Sequence, residues 1–478
     1  MMDRRGFLFS ALSASALLAT PALADRPRHR PVLSPAEMLA QARLGGAELG
    51  FVAIDLTTEL PVSEHQSGLM LPPASTLKIV TALYALDRLG AAHRFSTRVL
   101  RDGDRLVLAG GGDPTLDSDG LASLAGQAAQ AAGDWRPARF AVWGGALPRV
   151  VEIAPGQAAH LAYNPAVSGL ILNFNRVHLG WRCDTDCALS LEARASGHSP
   201  RAYTIGAGVR PGGGAYLHCV GEGREHWDIP RAGLGARGTR WLPVRQPEAY
   251  AGDVFQTLAR AAGLPLPSPE VIEETPSGHE IARHDSQPLP AVLGGMLRHS
   301  TNLTAEVLGL AASGADGQVA SAQRMAEWLQ ATGAGMAQLA DHSGLNAGNR
   351  ISGETLARLL ARPEAQSALP ALLNPDPLRD VLGEASRGGG KAGAPLVQAK
   401  TGTLNFVSSL AGYASMPEGR RVAFAVLAAD EARRAATEGQ DWPEGSLAWV
   451  KRAKLLQRDL VAASMAPPRA LRALPPEI

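Results

Sequence analysis

Three short segments lie far apart along this chain, in the order Ser75-Thr76-Leu77-Lys78, Ser300-Thr301-Asn302 and Lys400-Thr401-Gly402. They can act together only if the fold brings them to one crevice. The set then supplies a hydroxyl and an amine three residues apart, a second hydroxyl with a carboxamide, and a second amine beside a glycine. Read together, these are the parts of a serine acyltransferase whose base is a lysine. Composition sharpens the signal. Of the 46 lysines and arginines, lysine occupies only positions 78, 391, 400, 451 and 454. Arginine serves as well on a solvated surface, but only a desolvated ammonium releases its proton near neutral pH. Two of the scarce lysines therefore sit where chemistry would need them.

A length of 478 residues with 45% hydrophobic content is too much for one ordinary core and calls for two or three domains. A formal net charge of +1, with both signs interspersed, lacks the clustered basic face of a nucleic-acid partner, and that class is set aside. Residues 1–24 read as an export signal. Asp3-Arg4-Arg5-Gly6-Phe7-Leu8 leads into an apolar run from Phe9 to Ala19, and Ala22-Leu23-Ala24 suits a signal peptidase, so the mature chain begins at Asp25. The paired arginines resemble a twin-arginine signal, with an ordinary secretory signal as the alternative. Both lead out of the cytoplasm, and a periplasmic location is expected. The run is too short to span a bilayer, and no transmembrane segment is expected in the mature chain. Cys183, Cys187 and Cys219 allow one disulfide and one thiol left over. A zinc site lacks a nearby fourth ligand, which leaves a local Cys183–Cys187 bridge or plain buried thiols.

Local patterns place the motifs on elements. A helix is expected from Ser34 to about Leu44 and a strand from Leu49 to Leu56. Pro72-Pro73 presets the entry to a helix from about Ser75 to Leu89, stopped at Gly90. Ser75 then lies on a first turn, among free N–H groups, and Lys78 projects from the same face. Its neighbours Ile79, Val80, Leu83 and Leu86 imply a buried helix with a buried lysine, and burial lowers a lysine's pKa. Leu289 to His299 reads as a helix ending in the Ser300-Thr301-Asn302 loop, followed by a helix from about Thr304 to Ala312. Val397 to Thr403, Ser408 to Ser415 and Arg421 to Ala428 read as an antiparallel meander, and Ser446 to about Val461 as a covering helix. The glycine of Lys400-Thr401-Gly402 would let another backbone approach closely. Between Ala91 and His284 the texture changes to short alternating segments rich in glycine, which read as inserted β-rich material. His279-Glu280-Ile281-Ala282-Arg283-His284 has one residue too many between its histidines for a zinc-peptidase helix and reads as a solvated loop. Gly388-Gly389-Gly390-Lys391 lacks the pattern of a phosphate loop, and Pro467-Pro468 and Pro475-Pro476 mark a loose tail.

Longer blocks carry a resemblance. Pro73-Ala74-Ser75-Thr76-Leu77-Lys78-Ile79-Val80-Thr81-Ala82, Gly111-Gly112-Asp113-Pro114-Thr115-Leu116, Ser300-Thr301-Asn302-Leu303-Thr304-Ala305-Glu306, and Lys400-Thr401-Gly402-Thr403-Leu404 through Tyr413 resemble blocks of the class C low-molecular-mass penicillin-binding proteins, the D-alanyl-D-alanine carboxypeptidase/endopeptidase family. The resemblance implies an α+β fold: a DD-peptidase (penicillin-binding) domain, shared with serine β-lactamases, of an antiparallel sheet flanked by helices, formed by residues 25–97 and 284–478. Residues 98–283 would be a β-rich insert, with an inner part at about 123–165 nested in 98–122 and 166–283. It further implies peptidoglycan stem peptides as substrate, β-lactams as covalent inhibitors, and no metal or organic cofactor. Ser75 would be the nucleophile, Lys78 the proton acceptor, Ser300 and Lys400 a relay to the leaving amine, and Asn302 a ligand of both substrate and Lys78. Thr401, Gly402 and Thr403 would bind substrate. A β-lactamase or esterase with the same chemistry, and a silent wall-binding protein, are the alternatives. In Asp341-His342-Ser343-Gly344-Leu345-Asn346, His342 and Asn346 replace the small residues of the family's Asp-Gly-Ser-Gly-Leu-Ser, which puts any altered substrate preference near that loop.

Overall fold

The computed structural model describes residues 33–221, 223–379, 395–441 and 443–466. The export signal, Lys391 with its glycines and both proline pairs of the tail lie outside the described residues. The meander forms as expected: strands Leu396–Leu404, Val407–Ser415 and Arg421–Ala429 pair antiparallel. The strand Glu48–Asp55 joins the third, and Pro61–His65 closes the far edge. The weak alternation of Leu49 to Leu56 now has its reason. Leu49, Phe51 and Ala53 pack on one side with Phe424, Val426 and Trp449, while Val52 and Ile54 face Ala425, Leu427 and the helices beyond. A strand buried on both faces has no polar side to show.

Two layers of helix enclose this sheet. Pro35–Ala42, capped by Ser34 and Glu37 in a reciprocal pair, packs with Ser446–Ser464 on one face. On the other face lie Leu77–Leu89, Leu289–His299, Asn302–Ser313, Gln318–Ala331 and Gly353–Ala361. The strand Leu396–Leu404 is an edge, so the Lys400 motif borders open space beside the helical layer.

The intervening region has its own core. A mixed five-stranded sheet runs in the order Pro269–Val271, Arg139–Trp143, Arg105–Ala109, Ser96–Asp102, His279–Asp285, with helices Ser118–Ala132 and Pro247–Ala261 against it. Residues 123–165 supply most of the first of these helices and the strand Arg139–Trp143 within that sheet. Two three-stranded sheets complete the region, one carrying the Cys183–Cys187 disulfide across a hairpin, the other the exposed free Cys219. The expectation of a solvated loop at His279 to His284 is corrected. This segment is a strand paired antiparallel with Ser96–Asp102, which satisfies its backbone N–H and C=O groups. Among the described residues, no helix is long and apolar enough to cross a membrane.

Candidate active site

Ser75 sits on a strained turn. Ala74 has φ +46°, a left-handed conformation that costs an alanine roughly 1–2 kcal/mol. A second backbone lies hard against it, for a Cβ on Gly344 would come 1.8 Å from the Ala74 carbonyl oxygen. The sequence places the helix start at Ser75; instead Ala74–Thr76 form a tighter 3-10 turn and the α-helix begins at Leu77. The Pro73 carbonyl dictates this. It accepts from Thr76 N at 3.3 Å, Thr76 Oγ1 at 2.7 Å and Ser409 Oγ at 2.5 Å, which pulls the turn onto the strand Val407–Ser415.

Lys78 is fully buried one turn further on. Its Nζ lies 2.9 Å from Ser75 Oγ, 2.8 Å from Asn302 Oδ1 and 2.7 Å from the Ser343 carbonyl oxygen. Asn302 Nδ2 donates to the Tyr163 carbonyl at 3.0 Å, which fixes the carboxamide with its oxygen toward Lys78. The geometry has a chemical consequence. Two of the three partners are oxygens that only accept, so a neutral amine gives them its two hydrogens and keeps its lone pair for the Ser75 hydroxyl. Burial pushes the Lys78 pKa down to about 8, against the opposing pull of the Asp341 and Glu306 carboxylates.

Those carboxylates are buried beneath the amine. Glu306, one turn beyond Asn302 on the same helix, accepts from Ser343 N at 2.9 Å, His342 N at 3.1 Å, Gln318 Nε2 at 3.1 Å and His342 Nδ1 at 2.8 Å. Burial alone would raise its pKa; the His342 imidazole and these hydrogen bonds outweigh it and bring the pKa below the usual value. Asp341 accepts from Gly344 N at 2.8 Å, Asn346 N at 2.7 Å and Asn349 Nδ2 at 2.7 Å, yet burial and the Glu306 charge raise it. The Asp341 segment is therefore a floor under Lys78. Asp341, His342 and Ser343 have no exposed surface, so the His342 replacement acts from below the site rather than at a substrate-facing loop.

Ser300 ends its helix at φ +57°, and Asn302 opens the next as its first residue, which gives the carboxamide a fixed aim. Lys400 is buried and donates to the Thr401 carbonyl at 2.7 Å. Burial first, then the Lys78 and Lys454 charges, hold its pKa well below that of a free lysine. Gly402 packs directly on the backbone of Ser75: a Cβ there would meet Ser409 Oγ at 2.1 Å and both Pro73 O and Ser75 N at 2.8 Å. Thr401 is half-buried and Thr403 exposed. Ala399 N donates away from the sheet, to Asn374 O at 3.0 Å. By the two-residue alternation of a strand, the Thr401 and Thr403 N–H groups point to that same open side.

Glu306, Asp341, Ser343 and Tyr163 were missed as site residues by the sequence reading. Glu306 carried a local signal, the four-residue spacing from Asn302 that puts both on one helix face, and Asp341 and Ser343 lie in a family-like segment read only for its replacements at 342 and 346.

Comparison with known proteins adds three findings. The model of the D-Ala-D-Ala carboxypeptidase 3 (S13) family matches residues 34–133 and 229–445. A D-alanyl-D-alanine carboxypeptidase of Actinomadura sp. (strain R39) is 30% identical over 472 residues, spanning 87% of this chain and 84% of its own, and the D-alanyl-D-alanine carboxypeptidase DacB of Haemophilus influenzae is 25% identical over 421 residues, spanning 81% and 86%. In fold, the crystal structure of penicillin binding protein 4 (dacB) from Haemophilus influenzae, complexed with a novel β-lactam, is similar at a TM-score of 0.69 and 19% identity, over 90% of this chain and 99% of that one.

Proposed function

Because this chain belongs to the D-Ala-D-Ala carboxypeptidase 3 (S13) family, we propose that it hydrolyses the D-alanyl bonds of peptidoglycan stem peptides through an acyl-serine intermediate on Ser75. The observation that carries this reading is the contact set of Lys78, which leaves a neutral amine no direction for its lone pair except Ser75 Oγ.

In the proposed reaction the Ser75 hydroxyl gives its proton to Lys78 as its oxygen attacks the carbonyl between two D-alanines. The C–N bond then breaks, and the proton passes through Ser300 and Lys400 to the leaving amine. Water, deprotonated by Lys78, then attacks the ester carbonyl, and Lys78 returns that proton to Ser75 Oγ as the acyl group departs as the free acid. The N–H groups of Ser75 and Thr403 would hold the oxyanion, at about 3 kcal/mol per donor. The contact of Gly402 with Ser75 N supports this, since it sets the two donors on neighbouring backbones. Thr401 and Thr403, with Lys400, would bind the terminal carboxylate. An arriving carboxylate reverses the balance on Lys400: its negative charge favours the ammonium that burial and Lys78 disfavour.

The same proposal divides the chain into a peptidase domain of residues 25–97 and 284–478 and an insert of residues 98–283. The bond between Asn302 and Tyr163 supports a role for the insert at the crevice wall. It also places the protein in the periplasm and expects β-lactams to acylate Ser75. Incubation with purified monomeric and crosslinked muropeptides, with products identified by mass, tests the function. Release of D-alanine or cleavage of the crosslink is expected. Unchanged muropeptides alongside rapid penicillin turnover would reassign the protein as a β-lactamase.

A further inference from the structure

His342 stands where the family segment quoted above has glycine, and its imidazole has no exposed surface. The ring is not filling a leftover void. Gly309, in the helix Asn302–Ser313, leaves it a slot, and a Cβ at that glycine would lie 1.9 Å from the ring. Nδ1 faces the Glu306 carboxylate at 2.8 Å and so carries the hydrogen; Nε2 lies 2.8 Å from Ser321 Oγ. Glu306 in turn binds the N–H of Ser343, whose carbonyl receives Lys78 Nζ at 2.7 Å. A continuous polar chain thus runs from the imidazole to the amine.

We propose that His342 is a positioning residue for Lys78, acting through Glu306: its Nδ1–H binds the buried carboxylate and weakens that carboxylate's hold on the Lys78 proton. The inference rests on the reading of Lys78 as base and deepens it. The charged groups that face the amine are Glu306 from the helix Asn302–Ser313, Asp341 from the floor segment and Lys400 from the edge strand. Asn302 and Ser75 are neutral, as are Gln318 and Ser321 on the helix packed behind Glu306. With the imidazole removed, Glu306 still accepts from His342 N, Ser343 N and Gln318 Nε2. For the proposal to hold, these donors must keep it ionised against the burial that would raise its pKa. Its charge is then less compensated on the side of Lys78, and the ammonium is favoured.

The test is the second-order rate of acylation by benzylpenicillin from pH 6 to 10 for the full chain and three variants. The unsubstituted protein should show a rate rising with pH through about 8. In His342→Ala the rising limb should move up by about one unit, a roughly tenfold lower rate at pH 7, with the high-pH plateau retained. His342→Gln, which keeps bulk but carries its donor one bond too far for Glu306, should shift in the same direction, and it serves if the alanine variant does not fold. His342→Asn, whose Nδ2 takes the place of Nδ1, should stay within a few tenths of a unit of the parent. A limb that does not move or moves down in the alanine or glutamine variant, or a rate lowered equally at every pH, would overturn the proposal. Absence of acylation in the unsubstituted chain would overturn the underlying reading of Ser75 and Lys78, and the two failures are thereby told apart.

Discussion

Lys78 Nζ and Ser75 Oγ lie 2.9 Å apart, with the amine wholly excluded from solvent. They stand three positions apart in sequence, but the turn that aims the serine is held from outside, by Ser409 and Gly344.

A guanidinium in place of that amine cannot act as base and does not fit between Asn302 Oδ1 and the Ser343 carbonyl. Lys78→Arg is expected to lose at least 100-fold of the acylation rate, on the order of what positioned acid–base groups contribute, and to resemble Lys78→Ala. Stopped-flow acylation of both variants decides this. An arginine variant within tenfold of the parent would remove Lys78 from the role.

Gly402→Ala should separate activity from folding. Its Cβ would push against Pro73 O and Ser75 N at 2.8 Å, so either the edge strand or the Ala74–Thr76 turn must shift. A displacement near 1 Å at the reacting centre is worth about 100-fold in rate. Circular dichroism should be unchanged while acylation falls by about that factor.

Gly309→Ala offers a packing test with a sign. Alanine in a helix interior is favoured over glycine by about 1 kcal/mol, but here it would strike the His342 ring, and such overpacking costs about 1–3 kcal/mol or more. The single variant should be destabilised in urea. In a His342→Gly background the same change should become neutral or stabilising, so the two substitutions are non-additive. Equal effects in both backgrounds would deny the contact.

Lys400 should take up a proton when a carboxylate arrives. Burial and the Lys78 charge hold its pKa well below that of a free lysine in the open site, and a bound carboxylate raises it. Calorimetry of a Ser75→Ala variant with an acyl-D-Ala-D-Ala peptide near pH 8, in buffers of different ionisation enthalpy, should report net proton uptake. Lys400→Met should abolish that uptake.

The motifs were legible because each lies on an element with a strong local signal: the apolar run behind Lys78, the three consecutive strands around Lys400, and the helix that stops at Ser300. Lys78 burial followed from Ile79, Val80 and Leu83. The floor was not legible in the same way. Asp341 and Glu306 are distant in sequence, and a carboxylate destined for a dry interior looks the same on paper as one bound for the surface. Pro61–His65 escaped notice because a short edge strand opening on proline has little alternation to show. The insert read as β-rich for its glycines and turns, yet Ser118–Ala132 and Pro247–Ala261 are full helices whose alanine-rich faces blur the period. Asn302 was singled out in the sequence, but the Tyr163 carbonyl that orients it lies 139 positions away in the chain and carries no side-chain signature.

The most direct test of the central claim is intact-protein and peptide mass spectrometry after brief exposure to benzylpenicillin. One penicilloyl adduct is expected, on the peptide containing Ser75, and it should vanish in a Ser75→Ala variant that keeps the parent's melting temperature. An adduct on another residue, or persistent labelling of that variant, would contradict the assignment of Ser75 and Lys78 as nucleophile and base.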